Sequence, residues 1–226
     1  MKSLSLIFVF FSMLASAEGS AQTIGSRISQ EVKQGQKYLF YLHGGIIQSR
    51  GIDAVSPYWG RYEYTAILDT LRAFGFEVIS EARPRDSDLA QYARKVSAEI
   101  DSLLDSGVSA EKIIVVGASM GAGIALDVAI RTRNSKIKYA VLGICREGSW
   151  QAYLAHYSKD EIRLCGNFLS IYESSDSYGS CESYFKGQPC LSGFKEVRLN
   201  LNKGHGFLYK PYKEWVHPLV EWINGG

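Results

Sequence analysis

The sequence predicts an α/β protein: a three-layer α/β/α sandwich around a mostly parallel sheet. Short apolar runs alternate with stretches of helical periodicity along most of the chain. The run around Ile113-Ile114-Val115-Val116 is apolar without alternation, as in a strand covered on both faces. Glycine-bearing turns follow several of the strands, which is how strands feed helices in a layered fold. A length of 226 residues with 46% hydrophobic and 21% charged content fits one domain with a sizeable core.

The first residues stand apart from that pattern. Lys2 precedes an apolar run over residues 4–14, and Ala15-Ser16-Ala17 has the small-x-small form of a signal-peptidase site. The expected organisation is a signal peptide over residues 1–17, with an alternative end at 21, followed by one domain over 22–226. The expected location is therefore secreted or periplasmic. No later run is long and apolar enough to predict a membrane anchor.

The first strand is expected over residues 37–42, ending at His43-Gly44-Gly45. Tyr64, Ile67, Leu68, Leu71 and Phe74 follow helical spacing, with Gly75 as the stop. A strand over 76–80 is broken by Arg83-Pro84. Asp88 then has the character of an N-cap. After it, Leu89, Tyr92, Ala93, Val96, Ile100, Leu103 and Leu104 form one apolar stripe, closed by Gly107. A strand over 112–116 leads into a helix from Met120 to about Thr132. Further strands are expected over 139–144, 168–172 and 196–201. A last helix carries Trp215, Leu219 and Trp222 on one face, and Pro218 within it predicts a kink or a late start.

In parallel sheets of this kind ligands bind at the C-terminal strand ends, so the loops after strands are where chemistry is expected. Four of them carry it. Gly117-Ala118-Ser119-Met120-Gly121 fits G-x-S-x-G between a strand and a helix, the context that makes Ser119 a candidate nucleophile. His43-Gly44-Gly45 is a candidate oxyanion turn. Its backbone donor would be Gly45, then Gly44, with the Met120 N–H as the second donor. His43 itself is expected to be a structural hydrogen-bonding residue. Asp176 follows the strand over 168–172 and is the candidate for orienting a base, with Glu173 and Glu182 as rivals. His205, between Gly204 and Gly206, precedes the last helix and is the candidate base.

Gly117-x-x-x-Gly121-x-Gly123 also has the look of a dinucleotide turn, and Tyr209-x-x-x-Lys213 the spacing of short-chain dehydrogenases. The turn comes too late for that fold, and no acidic residue closes the following strand where a ribose would need it.

The chain resembles the α/β-hydrolase superfamily on these four loops and on the order Ser119, Asp176, His205. It is most similar to compact, cap-less serine esterases such as dienelactone-hydrolase-like and acyl-thioesterase-like enzymes. Only a short segment separates the strands near 144 and 168, which leaves little room for a helical cap. The resemblance implies a serine hydrolase that cleaves carboxylic esters through a Ser-His-Asp triad and an acyl-enzyme, with no metal or organic cofactor. The alternatives are an amidase or peptidase using the same residues, and an inactive binding protein on the same fold. The expected partner is a small ester or acyl substrate. A formal net charge of +2 gives no reason to expect nucleic acid, and nothing in the sequence sets an oligomeric state.

Tyr58, Trp59, Tyr62 and Tyr64 either line an acyl pocket or pack the surface of the core, and the first three are the candidates for substrate binding. Arg50, Arg61, Arg83 and Arg85 are either surface charges or sites for an anionic group. In an exported chain, Cys145, Cys165, Cys181 and Cys190 are expected to form disulfides. Short loop closure favours the pairs Cys181–Cys190 and Cys145–Cys165.

Overall fold

The computed structural model describes residues 35–146 and 148–225. The expected signal peptide lies outside them. The sheet begins with β1 (Tyr38–Leu42), followed by a short helix α1 (Gly45–Arg50). Two two-residue strands, β2 (Val55–Ser56) and β3 (Gly60–Arg61), pair antiparallel as a separate ribbon. Next come α2 (Tyr64–Ala73), β4 (Glu77–Ile79), α3 (Leu89–Asp105), β5 (Ile113–Ala118) and α4 (Met120–Thr132). The second half holds β6 (Lys138–Leu142), α5 (Ser149–Tyr153), β7 (Cys165–Glu173), α6 (Glu182–Phe185), β8 (Cys190–Leu199) and α7 (Lys213–Asn224).

The main sheet has six strands in the order β4-β1-β5-β6-β7-β8, and every pairing in it is parallel. Alternate residues of the central strands feed two separate cores. Phe40, Val115, Tyr139, Val141 and Phe168 face the layer that contains α3 and α4. Leu39, Tyr41, Ile114, Val116, Leu142 and Ile171 face the layer that contains α2 and α7. This two-sided burial is why the strands read as unbroken apolar runs. Ten consecutive residues of α4, from Gly121 to Ile130, are buried, so the helix behind Ser119 is one of the most enclosed elements.

Local signals explain the helix ends. Asp88 caps α3, its side chain accepting a hydrogen bond from the Gln91 N–H at 2.6 Å. Lys138, a cation at the buried start of β6, donates to the Ile223 carbonyl at 2.8 Å and so satisfies the end of α7. Helix α7 starts at Lys213 and runs through Pro218 rather than starting after it.

The disulfide pairing differs from expectation. The bridges are Cys145–Cys181 and Cys165–Cys190. Cys165 and Cys190 are direct partners in the parallel register of β7 and β8. Cys145 lies across an isolated bridge from Gly179, and the Gly179 N–H donates to its carbonyl at 2.8 Å. Strand pairing, not closeness in sequence, brings the sulfurs together. Strand β8 also starts six residues before the expected 196, because Cys190 is tied to β7 there.

Candidate active site

The site is assembled at the C-terminal strand ends. Ser119 connects β5 directly to α4 and has φ 53° and ψ −117°, a backbone conformation that costs about 1–3 kcal/mol for a non-glycine residue. Two glycines make room for it. A Cβ on Gly121 would lie 1.9 Å from the Leu42 carbonyl oxygen, and one on Gly117 would lie 2.3 Å from that of Gly121. The Ser119 N–H donates to the Leu142 carbonyl at 2.8 Å, which pins the turn to β6.

His205 lies in a 3-10 turn over Gly204–Tyr209. Its Nδ1 is 2.6 Å from Asp176 Oδ2 and its Nε2 is 2.8 Å from Ser119 Oγ. A carboxylate only accepts, so Nδ1 carries the hydrogen and Nε2 is free to accept from the serine hydroxyl. The Asp176 side chain is 3% exposed and that of His205 is 13% exposed. The arrangement can withdraw a proton from the hydroxyl and hold the resulting imidazolium.

Glu173, one rival for Asp176, ends β7 fully buried and does not reach His205. It accepts from the Leu201 N–H at 2.7 Å, from the Ser175 N–H and hydroxyl, and from the Ser174 hydroxyl. Ser175 Oγ in turn accepts from the Gly204 N–H at 2.9 Å. One carboxylate therefore joins the loop carrying Asp176 to the loop carrying His205. Burial pushes its pKa up, but these hydrogen bonds outweigh burial and hold it below the usual value. Glu182, the other rival, is exposed on α6.

Gly45 and Met120 are the first residues of α1 and α4, where backbone N–H groups have no intrahelical acceptor. The two helix starts are adjacent. A Cβ on Gly44 would lie 3.6 Å from Ser119 Cβ, and one on Gly45 would lie 3.0 Å from Met120 Cε. His43 is fully buried. Its Nδ1–H donates to the Gly44 carbonyl at 2.9 Å and its Nε2 accepts from the Arg83 N–H at 2.9 Å. Burial and the Arg83 charge push its pKa from 6.5 down to about 3, so the ring is a neutral brace.

Arg83 is 2% exposed, unlike a surface charge. It donates to the His43 carbonyl at 2.5 Å and to Gln48 Oε1 at 3.0 Å, which ties the glycine turn to α1. Arg50, Arg61 and Arg85 are exposed and bond to Val55, Asp53 and Ser49 nearby.

The substrate-binding candidates divide. Tyr58 is 85% exposed and Trp59 is 41% exposed at the tip of the β2–β3 ribbon. Trp59 lies with its ring centroid 5.7 Å from that of His205. Tyr62 is instead a core residue, 2% exposed, with its hydroxyl bonded to that of Tyr41 at 2.8 Å and its ring against Tyr209. The ribbon reverses between Ser56 and Gly60, so Trp59 stays at its exposed tip while β3 carries the chain back to Tyr62 in the core. Sequence reasoning missed Tyr178, whose ring is 4.8 Å from His205 on centroids, and Arg146, whose guanidinium is 4.8 Å from the Tyr178 centroid. The one signal was a tyrosine two residues after Asp176. Among the described residues no group of three or more His, Cys, Asp or Glu could hold a metal ion, and no helix is long and apolar enough to cross a membrane.

No family model matches the sequence, and no curated protein is detectably similar to it. Solved structures do match. The virulence factor BioJ of Francisella superposes with a TM-score of 0.58 at 12% identity, over 86% of this chain and 78% of its own. A serine hydrolase of the polyaromatic-hydrocarbon-degrading bacterium Cycloclasticus zankles gives 0.54 at 12% identity, over 84% and 90%. The 2-hydroxy-6-oxo-6-phenylhexa-2,4-dienoate hydrolase of Rhodococcus sp. strain RHA1 gives 0.53 at 14% identity, over 84% and 91%. These likenesses agree with the parallel sheet, and the chain has the fold of the α/β-hydrolase superfamily.

Proposed function

We propose that the chain is an exported, single-domain serine hydrolase that cleaves carboxylic esters through an acyl-enzyme. The observation that carries this reading is the continuous line of hydrogen bonds from Asp176 through His205 to Ser119, at 2.6 and 2.8 Å. Ser119 Oγ attacks the ester carbonyl while His205 Nε2 takes its proton. Asp176 holds the imidazole in the required tautomer and offsets the imidazolium charge. The Met120 N–H and the Gly45 N–H, or that of Gly44 in place of Gly45, receive the oxyanion. Each such donor contributes about 3 kcal/mol to the transition state. His205 then gives its proton to the leaving alcohol, and on the second half-reaction it activates water to release the acid.

Export is supported by the cysteines. Both disulfides are formed and no cysteine is left free, the usage of an oxidising compartment.

The purified chain should hydrolyse p-nitrophenyl acetate, and a fluorophosphonate probe should label Ser119. Ser119→Ala should lower kcat by about 10⁴-fold or more with an unchanged circular dichroism spectrum. Turnover that survives in this folded variant would eliminate the reading. Parallel ester and anilide assays separate an esterase from an amidase built on the same residues.

A further inference from the structure

We propose that the alcohol half of the ester is a carbohydrate, seated on an aromatic platform next to His205. This rests on the ester-hydrolase reading and assigns its leaving group. A groove of about 560 Å³ lies against the turn that carries His205, lined by Tyr58, Trp59, Ser175, Asn202, Lys203 and Tyr212 together with the two glycines flanking His205. That volume is within the range of about 300–1,000 Å³ usual for ligand sites.

Its position assigns the half of the substrate. The imidazole must hand its proton to the leaving oxygen, so the leaving group lies on the His205 side of the scissile bond. The groove lies on that side: Gly204 and Gly206 belong to its wall, and Trp59, which also lines it, has its ring centroid 5.7 Å from that of His205. A Cβ on Gly206 would lie 2.8 Å from Trp59 Cδ1, so glycine is what lets the ring pack in this place.

Its chemistry assigns the class. Tyr58 and Trp59 are held out at the ribbon tip, their N–H groups donating to Ser56 Oγ at 3.2 and 3.3 Å. These bonds fix the backbone of the turn, and the exposed rings it carries are surfaces for stacking. Around them, the Asn202 amide, the Lys203 ammonium and the Trp59 indole N–H have no hydrogen-bond partner among the described residues. Lys203 rests over the Tyr212 ring at 5.3 Å. Stacking faces edged by unused hydrogen-bonding groups match a sugar ring, which has apolar C–H faces and a rim of hydroxyls. A long hydrocarbon would strip water from Asn202 and Lys203 without replacing it. A small alcohol would leave both aromatic faces bare.

In the reaction, the acyl carbon–oxygen bond to the sugar breaks and Ser119 Oγ takes the acyl group. The sugar oxygen receives the proton from His205, and water then releases the carboxylic acid. The test uses the purified chain with partially O-acetylated xylo-, gluco- and manno-oligosaccharides and, for comparison, p-nitrophenyl acetate. The expected result is hydrolysis of at least one acetylated oligosaccharide. Tyr58→Ala and Asn202→Ala should each raise its KM at least fivefold more than they raise that of p-nitrophenyl acetate. The matching deacetylated oligosaccharide should inhibit the simple ester competitively. If Ser119 is labelled and p-nitrophenyl acetate is turned over, but no acetylated oligosaccharide is cleaved or both variants change the two KM values alike, the carbohydrate assignment is overturned. If neither labelling nor turnover occurs, the hydrolase reading falls and takes this assignment with it.

Discussion

The serine turn and the loops that face it are held by different physics. On the serine side the backbone does the work: Gly117 and Gly121 let β5, β1 and α4 approach closer than any side chain permits. On the Asp176 and His205 side the strands end in longer loops, and covalent and polar cross-links restrain them. Glu173 gathers four hydrogen bonds there, and Cys145–Cys181 ties the loop after Asp176 to the end of β6. The glycines that permit this packing are written into one short motif, Gly117 to Gly121, although the backbone they meet includes Leu42 of β1. Cross-linking draws on partners 28 and 36 positions apart. One side should therefore fail by steric collapse and the other by loosening.

The sharpest way to break the comparison is Gly121→Ala. With a Cβ 1.9 Å from a backbone carbonyl, this variant should lose more than about 4 kcal/mol or fail to fold, as read by urea denaturation. A variant of wild-type stability would mean that the close approach is not required.

The two disulfides sharpen it next. Both link elements of the same half, but Cys165–Cys190 joins the first residues of β7 and β8, at the sheet end away from Ser119. Replacing either pair by serine should cost about 3–4 kcal/mol through loop entropy. Only Cys145→Ser with Cys181→Ser should lower kcat, by about tenfold, because only that bridge restrains the Asp176 loop. The other pair should leave kcat within about twofold. Non-reducing peptide maps read the connectivity directly, and equal losses of kcat would refute the division of labour.

Glu173→Gln should have the smallest effect, about 2 kcal/mol, since an amide cannot accept at both ends of the network. The folded carboxyl has a pKa below its ordinary 4.5, so the ionised form is the one the fold favours. Its contribution is complete above pH 4.5 and is lost as pH falls from there through the lower folded value. The gap in unfolding free energy between wild type and this variant should therefore close on acidification below pH 4.5. A gap independent of pH would show that charge plays no part in joining the loops.

The serine turn was legible in the chain because its determinants are local: a buried strand, two glycines and a helix start within a few residues. The main-sheet strands and the principal helices were legible for a related reason. Burial on one face or two imposes a period of its own on each segment. The ribbon strands Val55–Ser56 and Gly60–Arg61 left no such trace, since two residues make no period.

What required the folded molecule was every relation between distant segments. Residue types and order named Ser119, Asp176 and His205, but only the sheet brought His205 within 2.8 Å of a serine 86 positions earlier. Cysteine pairing followed strand register instead of loop length. Tyr62 turned into the core while Trp59 stayed at the surface, and Arg83 became a buried clamp instead of a surface charge. Composition and period describe how a segment meets solvent. Which segments meet each other is decided when the whole chain closes on two cores at once.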